Sequence, residues 1–300
     1  MKIKLIINPA AGIQKKNLVK IKNTILSLKQ ITPEMKIKNF FEKKGLKIDV
    51  EETKKQSDAT NIAKKSKNYD IIIAAGGDGT INEVINGMQN HKTKLGIIPL
   101  GSENVMAKEL NIPLRITNAC KTIIKGNTRK IDIGTINNKK FIFVAGVGFD
   151  AEAITNVQPI LKKLLGGHAY TLAGLKTLFS HKPEELTIII DGKKEKAYFA
   201  IVTNIKTYGA GIVIASNAEM DDGYLDLCLF KNKDLWSVMK YVVGAASGKM
   251  SKLKGIEQHK IKKAEITSKK KVSYHTDAEI GGTTPIKIAI LKEKLSVIVP

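Results

Sequence analysis

Hydrophobic residues in the first part of the chain fall in short apolar runs, separated by stretches of helical periodicity. The runs at 2–8, 46–51, 70–75 and 95–99 read as strands; segments near 16–29, 33–44, 59–67, 80–87, 104–110 and 117–125 read as helices. Such alternation predicts an α/β domain with a parallel sheet covered on both faces. From residue 129 the pattern changes. Short β-prone runs follow at 130–135, 140–145, 185–190, 197–205, 225–230, 260–267, 271–274, 285–291 and 295–299, with turn pairs at Asn137-Asn138 and Asp191-Gly192. Two helical stretches, about 157–179 and 233–248, interrupt them. The expectation is an α/β domain over 1–128 and an all-β sandwich over 129–300, with the last residues free to rejoin the first domain.

The sharpest feature stands where the third strand ends. Ile71 to Ala75 runs into Gly76-Gly77-Asp78-Gly79-Thr80, followed by Ile81-Asn82-Glu83-Val84. Thr80 and Glu83 have capping-box spacing, which predicts a helix beginning at Thr80. The three glycines leave backbone N–H groups unshielded beside a helix N-terminus, a setting suited to phosphate. A plain strand-to-helix turn would carry the same glycines. Asp78 tilts the balance, because a carboxylate aimed at an anion site makes sense mainly with Mg²⁺ between them. No Gly-x4-Gly-Lys-Ser/Thr loop occurs.

Composition narrows the classes. Three hundred residues with 43% hydrophobic content suit two globular domains, and no window reaches the 18 apolar residues of a membrane span. The opening Met1-Lys2-Ile3-Lys4-Leu5 alternates like a strand and lacks the apolar core of a signal peptide. Cys120 and Cys228 stand far apart without metal-ligand partners, which fits a reducing cytoplasm. The formal charge is +22, yet of 50 basic residues only Arg115 and Arg129 are arginine, and the lysines are spread over most elements. Bidentate recognition of phosphate or bases would call for arginine. Lysine-rich compositional bias is the first account of the charge, an anionic membrane surface the second, and nucleic acid the third.

Further motifs flank the glycine loop in order: Asn8-Pro9-Ala10-Ala11-Gly12, Pro99-Leu100-Gly101-Ser102-Glu103-Asn104, Gly146-Val147-Gly148-Phe149-Asp150, Asp221-Asp222-Gly223-Tyr224-Leu225-Asp226 and Asp277-Ala278-Glu279. Together they resemble the diacylglycerol kinase catalytic-domain family, which spans bacterial soluble lipid kinases, ceramide kinases and sphingosine kinases. Gly-Gly-Asp-Gly-Thr alone is shared with NAD kinases; the five accompanying motifs are more specific. The resemblance implies an NAD kinase/diacylglycerol kinase-like nucleotide-binding domain followed by a β-sandwich, with the active site in the cleft between them. It implies an ATP-dependent lipid kinase of lipid metabolism and phospholipid biosynthesis, which transfers the γ-phosphoryl group to the hydroxyl of diacylglycerol or a related lipid. ATP and Mg²⁺ are the implied cofactors. On this resemblance Gly76, Gly77, Gly79 and Thr80 cradle phosphate, Asn8 and Gly12 close the cradle, and Asp78 orders Mg²⁺ or nearby lysines. Ser102 reaches a phosphate oxygen or the sugar, and Thr53 contacts the nucleotide. Glu279 is the candidate general base, since a carboxylate can accept the lipid hydroxyl proton. Asp222 supplies a side chain, and Glu219 and Tyr224 carbonyl oxygens, to a structural Mg²⁺. Asp150 organises the cleft. The expected setting is a cytoplasmic enzyme peripheral to the membrane, meeting its lipid substrate there, with no nucleic-acid partner and room for a homodimer.

The chain departs from the family pattern in three places. Ala278 stands where the family usually has Gly, and would be strained if that position needs φ > 0. Ile13 and Gly167 stand where some bacterial relatives carry lysine; Lys15 and His168 are the neighbours able to compensate. The competing readings are an NAD kinase-like enzyme and a non-catalytic lipid- or nucleic-acid-binding relative. The segment Asp234 to Val243, with the sole tryptophan, Trp236, reads first as a helix packed on its own sandwich and second as an interfacial membrane helix.

Overall fold

The structure, a computed structural model, describes residues 1–11, 31–90, 92–148, 151, 183–208, 212–250 and 253–300. The helices expected at 16–29 and 157–179 lie outside the described residues, as do Gly12, Ile13, Lys15, Asp150, Gly167 and His168. The chain divides into one unit of Met1–Ile131 with Leu295–Pro300 and another of Asp132–Lys294.

In the first unit the apolar runs become β1 (Ile3–Ile7), β2 (Ile48–Glu52), β3 (Ile71–Gly76) and β4 (Lys94–Pro99), parallel and ordered β2-β1-β3-β4. Every residue of β3 is buried, as a central parallel strand covered on both faces requires. Helices α1 (Pro33–Glu42), α2 (Asp58–Lys65), α3 (Asp78–Gly87), α4 (Val105–Glu109) and α5 (Ile116–Lys125) connect the strands. Helix α1 starts where Thr32 Oγ1 accepts the Met35 N–H at 3.1 Å, with Pro33 in the first turn. Helix α5 stops at Gly126, which takes a φ of 77°.

Two more strands finish this sheet. Strand β5 (Thr128–Ile131) pairs antiparallel with β20 (Leu295–Ile298), and β20 runs parallel to β4, giving the order β2-β1-β3-β4-β20-β5. The single strand expected at 130–135 is therefore split. Ile131 ends β5, and β6 (Gly134–Ile136) opens in the second unit after Asp132-Ile133. The break falls at Asp132, a carboxylate only 1% exposed that a continuous apolar ladder could not satisfy.

The second unit is a sandwich. One sheet, β10-β9-β16-β19-β6-β7, uses β7 (Lys139–Phe141), β9 (Leu186–Ile190), β10 (Lys193–Ala197), β16 (Lys263–Ser268) and β19 (Ile286–Ile290) beside β6. The other, β15-β14-β11-β8-β17-β18, uses β8 (Val144–Val147), β11 (Phe199–Thr203), β14 (Leu225–Phe230), β15 (Ile256–Ile261), β17 (Ser273–Thr276) and β18 (Glu279–Thr283). One buried cluster joins them: Ile136, Leu186, Ile188, Ile266 and Ile288 from the first sheet meet Val147, Val202, Leu227 and Leu229 from the second. Leu186, Ile188 and Ile190 alternate with less buried neighbours, the period-two signature of a one-sided strand. Helix α6 (Leu235–Ala246) packs Val238 and Tyr241 inward, the Tyr241 ring meeting Phe230 edge-on at 5.1 Å.

Candidate active site

The described residues expected to meet the nucleotide in the first unit lie at the carboxyl ends of adjacent strands. Asn8 follows β1, Thr53 follows β2, Gly77 follows β3, and Gly101-Ser102 follow β4. Backbone bonds hold these ends level: Asn8 N donates to Ala75 O at 2.9 Å, Thr53 N to Ile7 O at 2.9 Å, and Leu100 N to Gly76 O at 2.9 Å. Asn8 ties the first turn to the glycine loop, because Oδ1 accepts the Ala10 N–H at 3.0 Å and Nδ2 donates to Thr80 Oγ1 at 3.4 Å.

Two of the glycines, Gly76 and Gly101, are required by space. A Cβ on Gly76 would collide with the Thr80 side chain, and one on Gly101 would sit 2.6 Å from the Gly77 Cα. The two turns thus touch through bare backbone, which only glycine allows. Around Gly79 nothing lies within 4 Å of a would-be Cβ, so space does not demand glycine there.

Helix α3 begins earlier than expected. Gly77 is its N-cap, in extended backbone and with no side chain to cap, and Asp78 is the first helical residue. Thr80 is inside the first turn and 7% exposed. The capping box does not form, because Glu83 is used elsewhere: its carboxylate accepts the Ala59 N–H at 3.2 Å, at the start of α2. The α3 amides of Asp78, Gly79 and Thr80 precede its first internal bond, from Ile81 N to Gly77 O at 3.1 Å, so three backbone donors point beyond the helix end.

Asp78 has a partner that sequence alone did not suggest. Its oxygens accept the Val105 and Met106 N–H groups at 3.1 and 3.2 Å, capping α4 from a distant segment. Asn104 completes this joint, accepting the Gly101 N–H at 2.9 Å and donating to Gly101 O at 2.8 Å. Each Asp78 oxygen keeps acceptor capacity after one amide bond, so a phosphate-held Mg²⁺ fits beside it. Among the described residues no group of three or more His, Cys, Asp or Glu side chains stands ready to hold a metal.

In the second unit Glu279 opens β18 directly after the turn Asp277-Ala278. Both turn residues have positive φ, 48° and 65°, the type I′ pattern that joins β17 to β18 in register Thr276 to Glu279. Ala278 therefore occupies the position where its Cβ is unwelcome. The Asp277 carboxylate accepts the N–H groups of Ile142, Phe143 and Val144 at 2.8, 2.9 and 3.0 Å. Burial pushes this carboxyl up to about 6, against the pull of those amides toward the ionised form. Glu279 is half-exposed and pairs with Lys139 Nζ on β7 at 3.1 Å. Lys139 was not singled out in the sequence; a lysine after Asn137-Asn138 carries no local mark of a partner 140 residues away.

The Asp222 turn differs from expectation. Its carboxylate pairs with Lys260 Nζ and accepts the Tyr224 N–H at 2.9 Å. Beside it Lys294 Nζ reaches Asp132 Oδ1 at 2.9 Å and Asp221 O at 2.7 Å, while Asp132 Oδ2 accepts the Gly223 N–H at 2.8 Å. Two ammonium groups already supply positive charge here. A divalent cation held by Asp222 with the Glu219 and Tyr224 carbonyls would have to displace the Lys260 ammonium, while Asp226, close to Asp222, keeps a buried Oδ2 without a hydrogen-bond partner. Asp132 was missed, although a lone carboxylate between Ile131 and Ile133 is a readable signal.

Residues 2–136 match the family model of the diacylglycerol kinase catalytic domain, and residues 143–299 match that of the YegS C-terminal NAD kinase beta sandwich-like domain. The chain is 34% identical over 267 residues to a diacylglycerol kinase of Bacillus subtilis, covering 87% of this chain and 88% of the relative. It is 33% identical over 268 residues to a diacylglycerol kinase of Staphylococcus aureus, covering 87% and 84%. A crystal structure of a diacylglycerol kinase from Bacillus anthracis superposes with a TM-score of 0.73 at 28% identity, covering 100% of this chain and 97% of that one.

Proposed function

The chain belongs to the diacylglycerol kinase catalytic-domain family, and on that premise we propose that it phosphorylates the free hydroxyl of diacylglycerol with ATP. The observation that carries this reading is the gathering of Asn8, Thr53, the Gly76–Thr80 loop and Ser102 at one edge of a parallel sheet, where α/β folds bind ligands. The Asp78, Gly79 and Thr80 amides take the ATP phosphates, with the partial positive charge of the α3 N-terminus behind them. Thr53 and Ser102 bound the nucleotide on either side. Mg²⁺ travels with the phosphates and is assigned to Asp78; when bound it offsets charge on the transferring phosphoryl group. Glu279, steadied by Lys139, accepts the hydroxyl proton as the new O–P bond forms and the bond from the γ-phosphorus to the bridging oxygen breaks, ADP leaving.

The lipid acceptor remains in a bilayer, so the enzyme is read as cytoplasmic and peripheral to the membrane, its lysines facing anionic headgroups. Among the described residues no helix is long and apolar enough to cross a membrane. The test offers purified protein labelled ATP with diacylglycerol, a sphingoid base, NAD or no acceptor. Label is expected in diacylglycerol. Transfer to NAD or the sphingoid base would replace the reading, and no transfer to any acceptor would leave a binding protein.

A further inference from the structure

Helix α6 turns an apolar face outward. Trp236 is 69% exposed, Val243 65% and Met239 37%, while Val238 and Tyr241 on the opposite side are buried. The helix is held by that inner side, where the Tyr241 hydroxyl donates to Gly255 O at 3.2 Å, and by Asp234, whose carboxylate accepts the Ser237 N–H at 2.9 Å. Trp236, Lys240 and Val243 share one stripe at helical spacing. Lys240 is exposed in the middle of it, and exposed Lys249 and Lys233, the latter with its Nζ 5.3 Å from the Tyr198 ring centre, flank the helix. The expectation of a helix packed on its own sandwich holds through Val238 and Tyr241, while Trp236 lies on the opposite face.

We propose that this face docks on an anionic lipid bilayer, with Trp236 at headgroup depth, Val243 and Met239 beneath it, and the three lysines against lipid phosphates. The proposal deepens the peripheral-kinase reading and rests on it for why a bilayer is the partner. Charge and composition favour that occupant. Indole rings settle at the water–lipid boundary, where one end is apolar and the other wet. Amphipathic helices that lie on membranes combine such residues with lysine, whereas lysine is depleted from the centres of protein–protein interfaces. Lys240 sits at the centre of this stripe. The nearest acidic residue in sequence, Asp234, is occupied in capping the helix.

Trp236 is the only tryptophan of the chain, so its fluorescence reports this face directly. Vesicles of equal phosphatidylglycerol and phosphatidylcholine should shift its emission to the blue and protect it from iodide; phosphatidylcholine alone should do so weakly. The variant W236Q/V243Q should sediment with the mixed vesicles at least ~10-fold more weakly, and K240Q about fivefold more weakly, the worth of one lysine at an anionic surface. Turnover of vesicle-borne diacylglycerol should fall with binding, through KM, while turnover of dispersed dioctanoylglycerol stays within about twofold. Vesicle binding with an unmoved Trp236 spectrum, or W236Q/V243Q binding like wild type, overturns the proposal. Shielding of Trp236 in a vesicle-free dimer makes a second copy the occupant and overturns it too. Docking through Trp236 with no transfer to dioctanoylglycerol would sink the kinase reading and leave the docking face standing.

Discussion

The glycine loop of the first unit and the Asp277–Glu279 hairpin of the second each hold a polar group in place, by opposite means. In the loop the backbone does the holding. Gly76, Gly77 and Gly101 let two turns touch, and Asp78 and Asn104 tie them through main-chain amides. In the hairpin side chains do it: Lys139 holds Glu279, and Asp277 grips three amides of a neighbouring strand link. Backbone joints tolerate little substitution where a Cβ would collide, as at Gly76 and Gly101. Side-chain joints tolerate drift at one position, as Ala278 shows, provided the distant partners persist.

Substitutions can break that contrast, the most damaging first. Asp78→Ala should reduce turnover by roughly 10³-fold or more, since it removes both the charge beside the phosphates and the cap of α4. Asp78→Asn separates the two: Asn still offers an acceptor to α4, so full activity in it would reduce Asp78 to a joint. Glu279→Gln should leave ATP affinity unchanged and lower kcat by about 10² to 10⁴. Unchanged kcat at saturating lipid would remove the general-base role, and lost ATP binding would make the residue structural.

Asp132→Ala strands the Lys294 ammonium and the Gly223 N–H, and should cost about 3 kcal/mol in denaturant unfolding, the low end for a buried pair because Lys294 is 32% exposed. The Tm of the wild-type protein in EDTA and in Mg²⁺ decides the Asp222 turn: a drop on chelation assigns it the cation, and an unchanged Tm leaves Lys260 as the partner of Asp222. The smallest effect has the opposite sign. Ala278→Gly relieves a left-handed alanine and should raise stability by about 0.5–1 kcal/mol, the relief being partly offset by glycine's freedom when unfolded. A lower Tm would mean that the alanine methyl makes a contact worth more than the strain.

The first unit was the more legible in sequence, and the reason is physical. Parallel strands buried on both faces must be apolar throughout, so β3 announces itself, while β10, with four charged residues in five, lies at a sheet edge and does not. Strand β18 is hidden by Gly281 and Gly282, which carry no strand preference. The start of α3 was misplaced by two residues because local spacing favoured Thr80 with Glu83, whereas Glu83 is taken by α2. Among the residues at these strand ends, Gly76 to Thr80 stood out as a local glycine pattern, whereas Asn8, Thr53 and Ser102 came only with the family resemblance. Lys139, Lys260 and Lys294 were not named, because their partners are 140, 38 and 162 residues away.

The position of β20 has a consequence for how the protein is made. The strand between β4 and β5 is supplied by residues 295–298, so residues 132–294 are synthesised while the sheet that carries the glycine loop lacks a central member. At ribosomal speeds that interval is about 10–30 s, so a complete first unit cannot form before the second has been synthesised. The sandwich is complete in sequence before the nucleotide-binding sheet can close. A nascent chain arrested before Leu295 would expose the facing edges of β4 and β5, two unpaired strand borders of the kind that chaperones or aggregation would claim.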